Sequence, residues 1–277
     1  MFLGLLSVGL AWGLEVASYN TWGLPPPLTR ASRKSRLPGI ARWLEERSFD
    51  LVGLSEVWGS AARLMSGPGL LAASQQRGDT GLAVQSRLPV GRARTLHFRD
   101  ASGFDRFKQK GAMIVPVAAM EGQLTMVVTH LQASPRAAGV RATQLAELLV
   151  ALENESGPVV LVGDFNFYAA EKEDQESGAA LRGAGFVDSL EGSESPTHLR
   201  EAERFDRIYV RNGREAGRLK LVVEESSVLG LGRLDPERRR AATERVEQDH
   251  AVGELLGRLS DHLPVRARIR LETGEAR

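Results

Sequence analysis

The sequence predicts an α/β sandwich, two β-sheets packed together and flanked by helices, on three observations. Short apolar runs of strand length recur along the chain and repeatedly end in polar residues. Helical patterns fall between them irregularly, without the cadence of a doubly wound sheet or an eight-fold barrel. No Ser/Gly linker, repeat or low-complexity tract divides the 277 residues. One unit over residues 14–277 is therefore the economical reading, preceded by an apolar segment over 1–13.

Each element follows from local pattern. Phe2 to Leu14 is apolar, too short to span a bilayer, and has no basic residue before it. A signal remnant and the lead-in to a first strand both remain open for it. Leu14 to Tyr19 reads as a strand stopping at Asn20, followed by a turn at Pro25, Pro26 and Pro27. Leu37, Ile40, Ala41 and Leu44 recur at helical spacing within Ser35 to Arg47. Asp50 to Leu54 is a second strand, ending at Ser55 and Glu56. Thr80 to Gln85 is another, closed by Leu88 and Pro89. Gly111 to Ala118 and Leu124 to Thr129 form an antiparallel pair across Glu121 and Gly122.

Val140 to Leu152 carries helical periodicity, and Pro158 to Val162 is a buried strand broken by Gly163 and Asp164. Phe205 to Val210, Leu219 to Val223 and Val265 to Leu271 supply further strands. The charged stretch Asp235 to Leu259 reads as helical, with Pro236 suited to its start.

Composition narrows the function classes. A hydrophobic fraction of 42% supports a sizeable core. A formal net charge of +1 argues against holding nucleic acid by bulk positive charge, although a local basic stripe stays open. The absence of cysteine excludes disulfides, thiol nucleophiles and cysteine-ligated zinc. It leaves both an exported and a cytoplasmic location open, and no later stretch could form a transmembrane helix.

The apolar runs end in residues that bind metal or move protons: Asn20, Glu56, His130, Asp164 with Asn166, and Asp261 with His262. Cleaving a phosphodiester needs a cation on the phosphoryl oxygens, a base for water and stabilisation of the leaving oxygen. Carboxylates suit Mg²⁺, and neutral His is a base near pH 7. Taken singly, each has a structural reading. Asn20 serves as a turn residue, Glu56 as a solvated strand tip, Gly163-Asp164 as a turn, Asp261 as a cap, and His130 and His262 as core histidines. His97, His198 and His250 lie in polar surroundings and default to the surface.

Together, in this order, Tyr19-Asn20-Thr21-Trp22-Gly23, Ser55-Glu56-Val57, Thr129-His130-Leu131-Gln132, Gly163-Asp164-Phe165-Asn166 and Ser260-Asp261-His262-Leu263-Pro264-Val265 resemble the endonuclease/exonuclease/phosphatase superfamily. The resemblance implies a four-layer α/β sandwich of two mostly antiparallel sheets flanked by helices. It implies Glu56 as the principal Mg²⁺ ligand, with Mn²⁺ or Co²⁺ as substitutes. Asn20 stands beside it on metal-bound water or phosphate, and Asp261 is a further metal-side carboxylate. His262 resembles the general base and Asp206 the carboxylate orienting it. Asp164 and Asn166 contact the nucleophile or the phosphoryl group, and His130 donates to a phosphoryl oxygen.

Asn20-Thr21-Trp22-Gly23-Leu24-Pro25 and Thr129-His130-Leu131-Gln132-Ala133 resemble the neutral and bacterial sphingomyelinases. Asp105 and Lys110-Gly111 resemble their substrate-side Asp/Lys-Gly segment, while a surface Asp and a strand-opening Lys remain the alternative. The branch implies Mg²⁺-dependent hydrolysis of sphingomyelin or a related head-group phosphodiester at a membrane surface, with no obligate protein partner. Trp22, Trp58, Phe104 and Phe107 are candidates for the membrane contact, or for pocket wall. A nuclease or sugar-phosphate phosphatase is the competing enzyme class, with Arg30, Arg33 and Arg36 as phosphate contacts or a solvated helix face. A silent binding module on the same fold is the third class.

Overall fold

The computed structural model describes residues 12–24, 32–65, 67–72, 79–119, 122–214, 219–230 and 256–272. Most of the N-terminal apolar segment, Arg30, His250 and the bulk of the expected helix over 235–259 lie outside these residues; positions 256–259 are helical. Two sheets of six strands form the centre.

The first sheet contains β1 (Trp12–Asn20), β2 (Leu51–Ser55), β3 (Leu70–Ala72), β4 (Ala83–Ser86), β11 (Lys220–Val228) and β12 (Val265–Glu272), in the order β11-β12-β1-β2-β4-β3. The second contains β5 (Arg94–His97), β6 (Gly111–Ala119), β7 (Gly122–His130), β8 (Val159–Asp164), β9 (Val187–Asp188) and β10 (Asp206–Arg211), in the order β5-β6-β7-β8-β10-β9. Pairing is antiparallel except for one parallel pair in each sheet, β1 with β2 and β7 with β8.

Alternation along the strands divides the core. Met113, Val115, Met126, Val128, Val160 and Val162 turn inward to the first sheet's residues. Ala112, Ile114, Val127, Val159 and Leu161 turn outward, where Leu145, Leu148 and Leu181 cover them. Those leucines come from α3 (Ala138–Ala151) and α4 (Lys172–Gly183). On the first sheet α1 (Arg33–Arg47) packs through Leu37, Ile40, Trp43 and Leu44, with Trp43 edge-on to Tyr19 at 6.0 Å. Between them α2 (Ala61–Leu64) is a single turn. The layers are thus helix, sheet, sheet and helix, as the sequence implies. No described helix is long and apolar enough to cross a membrane.

Topology gathers the polar strand ends. β1 and β2 run parallel and finish together in the register Asn20 opposite Ser55. β7 and β8 likewise finish with His130 opposite Asp164. The antiparallel neighbours begin there: Asp206 of β10 pairs with Asp164, and β12 opens with Val265 opposite Ser18. Two chain directions therefore deliver side chains to one end of the sandwich.

Candidate active site

The second sheet supplies the hub. Gly163 has φ 145°, and a Cβ there would lie 1.9 Å from the Thr129 carbonyl oxygen. Only glycine lets β8 carry Asp164 alongside His130. Asn20 Nδ2 donates to Asp164 Oδ2 at 2.8 Å across the two sheets. The Asn166 backbone N–H donates to Asp164 Oδ1 at 3.0 Å. His130 Nε2 and His262 Nε2 stand 3.6 and 3.8 Å from Asp164 Oδ2. Burial works against the Asp164 charge, but His130, His262, Lys110 and the Asn20 hydrogen bond hold its carboxyl below the ordinary range. Burial pushes His130 the other way, to about 3, with Lys110 adding to the effect.

The first sheet brings the histidine. Ser260 Oγ donates to the Asn20 carbonyl at 2.7 Å and accepts from the His262 N–H at 3.2 Å, fixing the segment that precedes β12. His262 Nδ1 lies 2.7 Å from Asp206 Oδ2, a contact that aligns the ring and leaves Nε2 facing Asp164. Burial opposes a charged His262, yet Asp206, Asp164 and Asp261 raise it to about 10. Burial raises Asp206 to about 6, so between these limits the pair is imidazolium and carboxylate.

Glu56 follows β2 with φ 61°, and Trp22 and Asn166 also have positive φ, at 49° and 50°. Non-glycine residues in this region store strain, and three of them border the same cleft. Glu56 feels the charges of Lys110, Lys108, His262 and Asp261, which places it with the strand-end group; burial raises its carboxyl. The Asp105 and Lys110 segment is buried here too. Lys110 Nζ donates to the Leu131 carbonyl at 3.0 Å and lies 3.5 Å from Asp105 Oδ2. Gln132 Nε2 and the Ala133 N–H complete the Asp105 carboxylate at 3.0 and 3.1 Å. Asp105 and Lys110 are therefore neither a surface Asp nor an idle strand opener.

A hard divalent cation fits this end. Glu56 Oε2 and Asp261 Oδ1 are buried carboxylate oxygens without a hydrogen-bond partner among the described residues, and burial raises the affinity of both groups for a proton. A cation removes that cost, and one or two carboxylates with waters suffice for Mg²⁺. Two other groupings, His198–Asp261–His262 and Asp164–Asp206–His262, also bring ligand atoms within 4.8 Å. Both depend on His262, whose Nδ1 is engaged by Asp206 and whose imidazolium form has no free lone pair. The oxygen set is the better host. Asn20 Nδ2 is on Asp164 and its Oδ1 accepts from the Trp22 N–H at 2.9 Å, which leaves that oxygen one further lone pair.

Several placements depart from sequence expectation. His198 is not a surface residue: it is 8% exposed, with its ring 4.7 Å from that of His262. Burial and His262 push it down to about 4. Arg36 is not on a solvated helix face. Its guanidinium donates to the carbonyls of Thr21, Trp22 and Leu259 and stacks 4.8 Å over Trp22. Arg200 lies over the same indole at 5.3 Å, and Lys108 lies 5.5 Å over Trp58, so cations cover both rings. Phe107 is 88% exposed, whereas Trp58 is buried. Arg141 pairs bidentately with Asp174 at 2.8 and 2.6 Å and donates to the Gln132 carbonyl at 3.1 Å, bracing the loops after β7 and β8.

Comparison with known proteins gives a family and a fold. The Endonuclease/Exonuclease/phosphatase family profile matches residues 17–262, a span that contains every strand-end residue above. No curated protein sequence matches. Among solved structures, D. rerio TDP2 complexed with single strand DNA product superposes with a TM-score of 0.67 at 17% identity, covering 93% of this chain and 98% of the other. Sphingomyelinase C from Streptomyces griseocarneus gives 0.63 at 19% identity, with 93% and 99% covered. A beta toxin mutant from Staphylococcus aureus with bound magnesium ions gives 0.65 at 18%, with 92% and 99% covered. At these identities the likeness is one of fold.

Proposed function

Because this chain belongs to the endonuclease/exonuclease/phosphatase family, a family of hydrolases acting on phosphodiesters, we propose that it is a divalent-metal-dependent phosphodiesterase of phospholipid head groups, sphingomyelin foremost. The observation that carries the reading is the His262–Asp206 contact of 2.7 Å, aimed at the Asp164 hub, with Glu56 and Asp261 oxygens nearby that have no hydrogen-bond partner among the described residues. The sphingomyelinase among the structural neighbours and the buried Asp105–Lys110 pair support the lipid branch.

Glu56 and Asp261 would hold the cation, which when bound supplies positive charge to the phosphoryl oxygens and the leaving alkoxide. His262 Nε2 takes a proton from the attacking water, and Asp206 keeps Nδ1 protonated and steadies the imidazolium that results. The surrounding carboxylates, Asp206 first and then Asp164 and Asp261, hold a proton on His262 in the metal-free protein, and a cation at Asp261 would weaken the last of these contributions. Asp164, fixed by Asn20 and the Asn166 N–H, orients the water. His130 is neutral and keeps one ring N–H for a phosphoryl oxygen.

Arg200 and Lys108 at the mouth favour a second reading, a nuclease on the same chemistry, and the TDP2 neighbour binds a DNA product. Purified protein offered sphingomyelin, bis-p-nitrophenyl phosphate and single-stranded DNA, each with Mg²⁺ and with EDTA, tests both. Sphingomyelin turnover abolished by EDTA supports the lipid reading. DNA cleavage without lipid turnover, falling steeply with salt, moves the chain to the nuclease branch. No turnover of any of the three sinks both.

A further inference from the structure

His198 is a buried polar group that the scheme above does not use. Its neighbours place it at the reacting centre: the His198–His262 bridge is framed by Leu199 N–H on the Asp261 carbonyl at 2.9 Å and Leu263 N–H on the Thr197 carbonyl at 2.7 Å. Thr197 Oγ1 accepts from the N–H groups of Phe205 and Asp206 at 3.0 and 2.9 Å, tying this pairing to the His262 partner strand. The His198 ring stacks obliquely on Phe205 at 5.4 Å, which fixes its plane.

Its tautomer is also fixed. The Glu201 N–H donates to His198 Nδ1 at 3.0 Å, so Nδ1 offers a lone pair and a neutral ring carries its proton on Nε2. Nε2 lies 3.9 Å from Asp261 Oδ2, too far for a hydrogen bond, and has no acceptor among the described residues. A histidine N–H that no protein acceptor takes is open to an acceptor on a bound group. The same proton argues against metal ligation through Nε2, and the Glu201 N–H occupies Nδ1.

We propose that His198 is a substrate-contacting residue whose Nε2–H donates to a phosphoryl oxygen of the ester bound between Asp261 and His262. This deepens the phosphodiesterase reading and rests on it for the identity of the bound group. A neutral donor adds no charge to a site already crowded with acids and a metal, and it adds direction.

Two variants separate the donor from the ring. His198→Phe keeps the packing on Phe205 and His262 and removes the donor; His198→Gln restores an amide N–H near Nε2. Kinetics with bis-p-nitrophenyl phosphate and calorimetric titration of the Mg²⁺-loaded protein with inorganic phosphate give independent readouts. The Phe variant should lose about tenfold or more in kcat/KM and in phosphate affinity while the Gln variant keeps most of both, and the melting point should fall in the Phe variant only by the loss of the Glu201 hydrogen bond. Wild-type phosphate affinity in the Phe variant, or equal loss in both variants, overturns the role, as does a wild-type protein that binds no phosphate. Phosphate binding without any phosphodiester turnover by the wild type instead overturns the phosphodiesterase reading and leaves the His198 contact standing.

Discussion

The two sheets bring unequal halves to the site. At the end of the second sheet, Asp164 has both oxygens engaged and Asp105 accepts from Gln132 and Ala133 beside Lys110. At the end of the first, Glu56 Oε2 and Asp261 Oδ1 are buried without a partner among the described residues, and Glu56 is held at positive φ. The second half is the more fully hydrogen-bonded, with His130 Nδ1 and Asp206 Oδ1 as its open atoms among the described residues, while the first leaves an oxygen on each of its two carboxylates without a partner there. Buried polar groups are ordinarily satisfied, so the imbalance marks where an external ligand belongs. His262 bridges the halves, since its backbone belongs to the first sheet and its Nδ1 to Asp206 of the second.

The largest effect should come from cutting that bridge. Asp206→Asn keeps the side-chain shape but cannot hold Nδ1 protonated as a carboxylate does. Phosphodiester turnover should fall about 10³- to 10⁴-fold, with the fold retained by circular dichroism. A substrate-free signature accompanies it. His262 is raised to about 10 in the folded, metal-free protein, above its unfolded value. Its stabilising contribution is therefore full below about 6.5 and lost as pH rises through 10. In chelator, wild type should lose melting temperature across that window and the Asn variant should lose less, because only Asp164 and Asp261 still raise its histidine. A variant with wild-type kinetics would break the link between the halves.

The first sheet's half makes the second prediction. Glu56→Gln leaves the volume but removes the charge, so turnover at saturating Mg²⁺ should drop more than about a hundredfold. Mg²⁺ should raise the wild-type melting temperature saturably and the variant's hardly at all. In EDTA the order reverses, because the variant no longer buries an uncompensated carboxylate. Equal Mg²⁺ responses in both proteins would show that the cation sits elsewhere.

How much of this was legible in the sequence follows from the same division. β1, β2, β7 and β8 lie in the middle of their sheets, so they read as continuous apolar runs, and the acids and amides at their ends stand out. The helices over α1 and α3 were legible from periodicity, but α4 was not, because apart from Leu181 it is chiefly polar and small. β3, β5 and β9 are short edge or near-edge strands with little pattern to detect. His198 was hidden because the Thr197–Glu203 turn is polar and irregular, and what buries its histidine is pairing with residues 261–263. Arg36 was misread for a related reason: carbonyls remote in sequence, among them that of Leu259, receive its guanidinium. Long-range backbone acceptors leave no local trace.

The more fully hydrogen-bonded half makes the smallest and most specific prediction. His130 has its folded value pushed to about 3 by burial and by Lys110, far below the 6.5 of an unfolded chain. Between those values the unfolded state binds a proton that the folded state refuses, so stability falls as pH drops below about 6.5 and the loss levels off near 3. At pH 5 the penalty is about 2 kcal/mol. Asp164, held below the ordinary carboxylate range, loses its own contribution only as pH falls beneath about 4, so the two windows separate. The raised carboxyls of Glu56, Asp206 and Asp261 act with the opposite sign, which makes the difference between proteins the right quantity. Urea unfolding of wild type and His130→Gln in chelator, from pH 7 to 5, should show the gap between them shift by that amount in favour of the variant at the acid end. A constant gap would mean that His130 accepts a proton within the fold, and the scaffold half would then be as adjustable as the metal half.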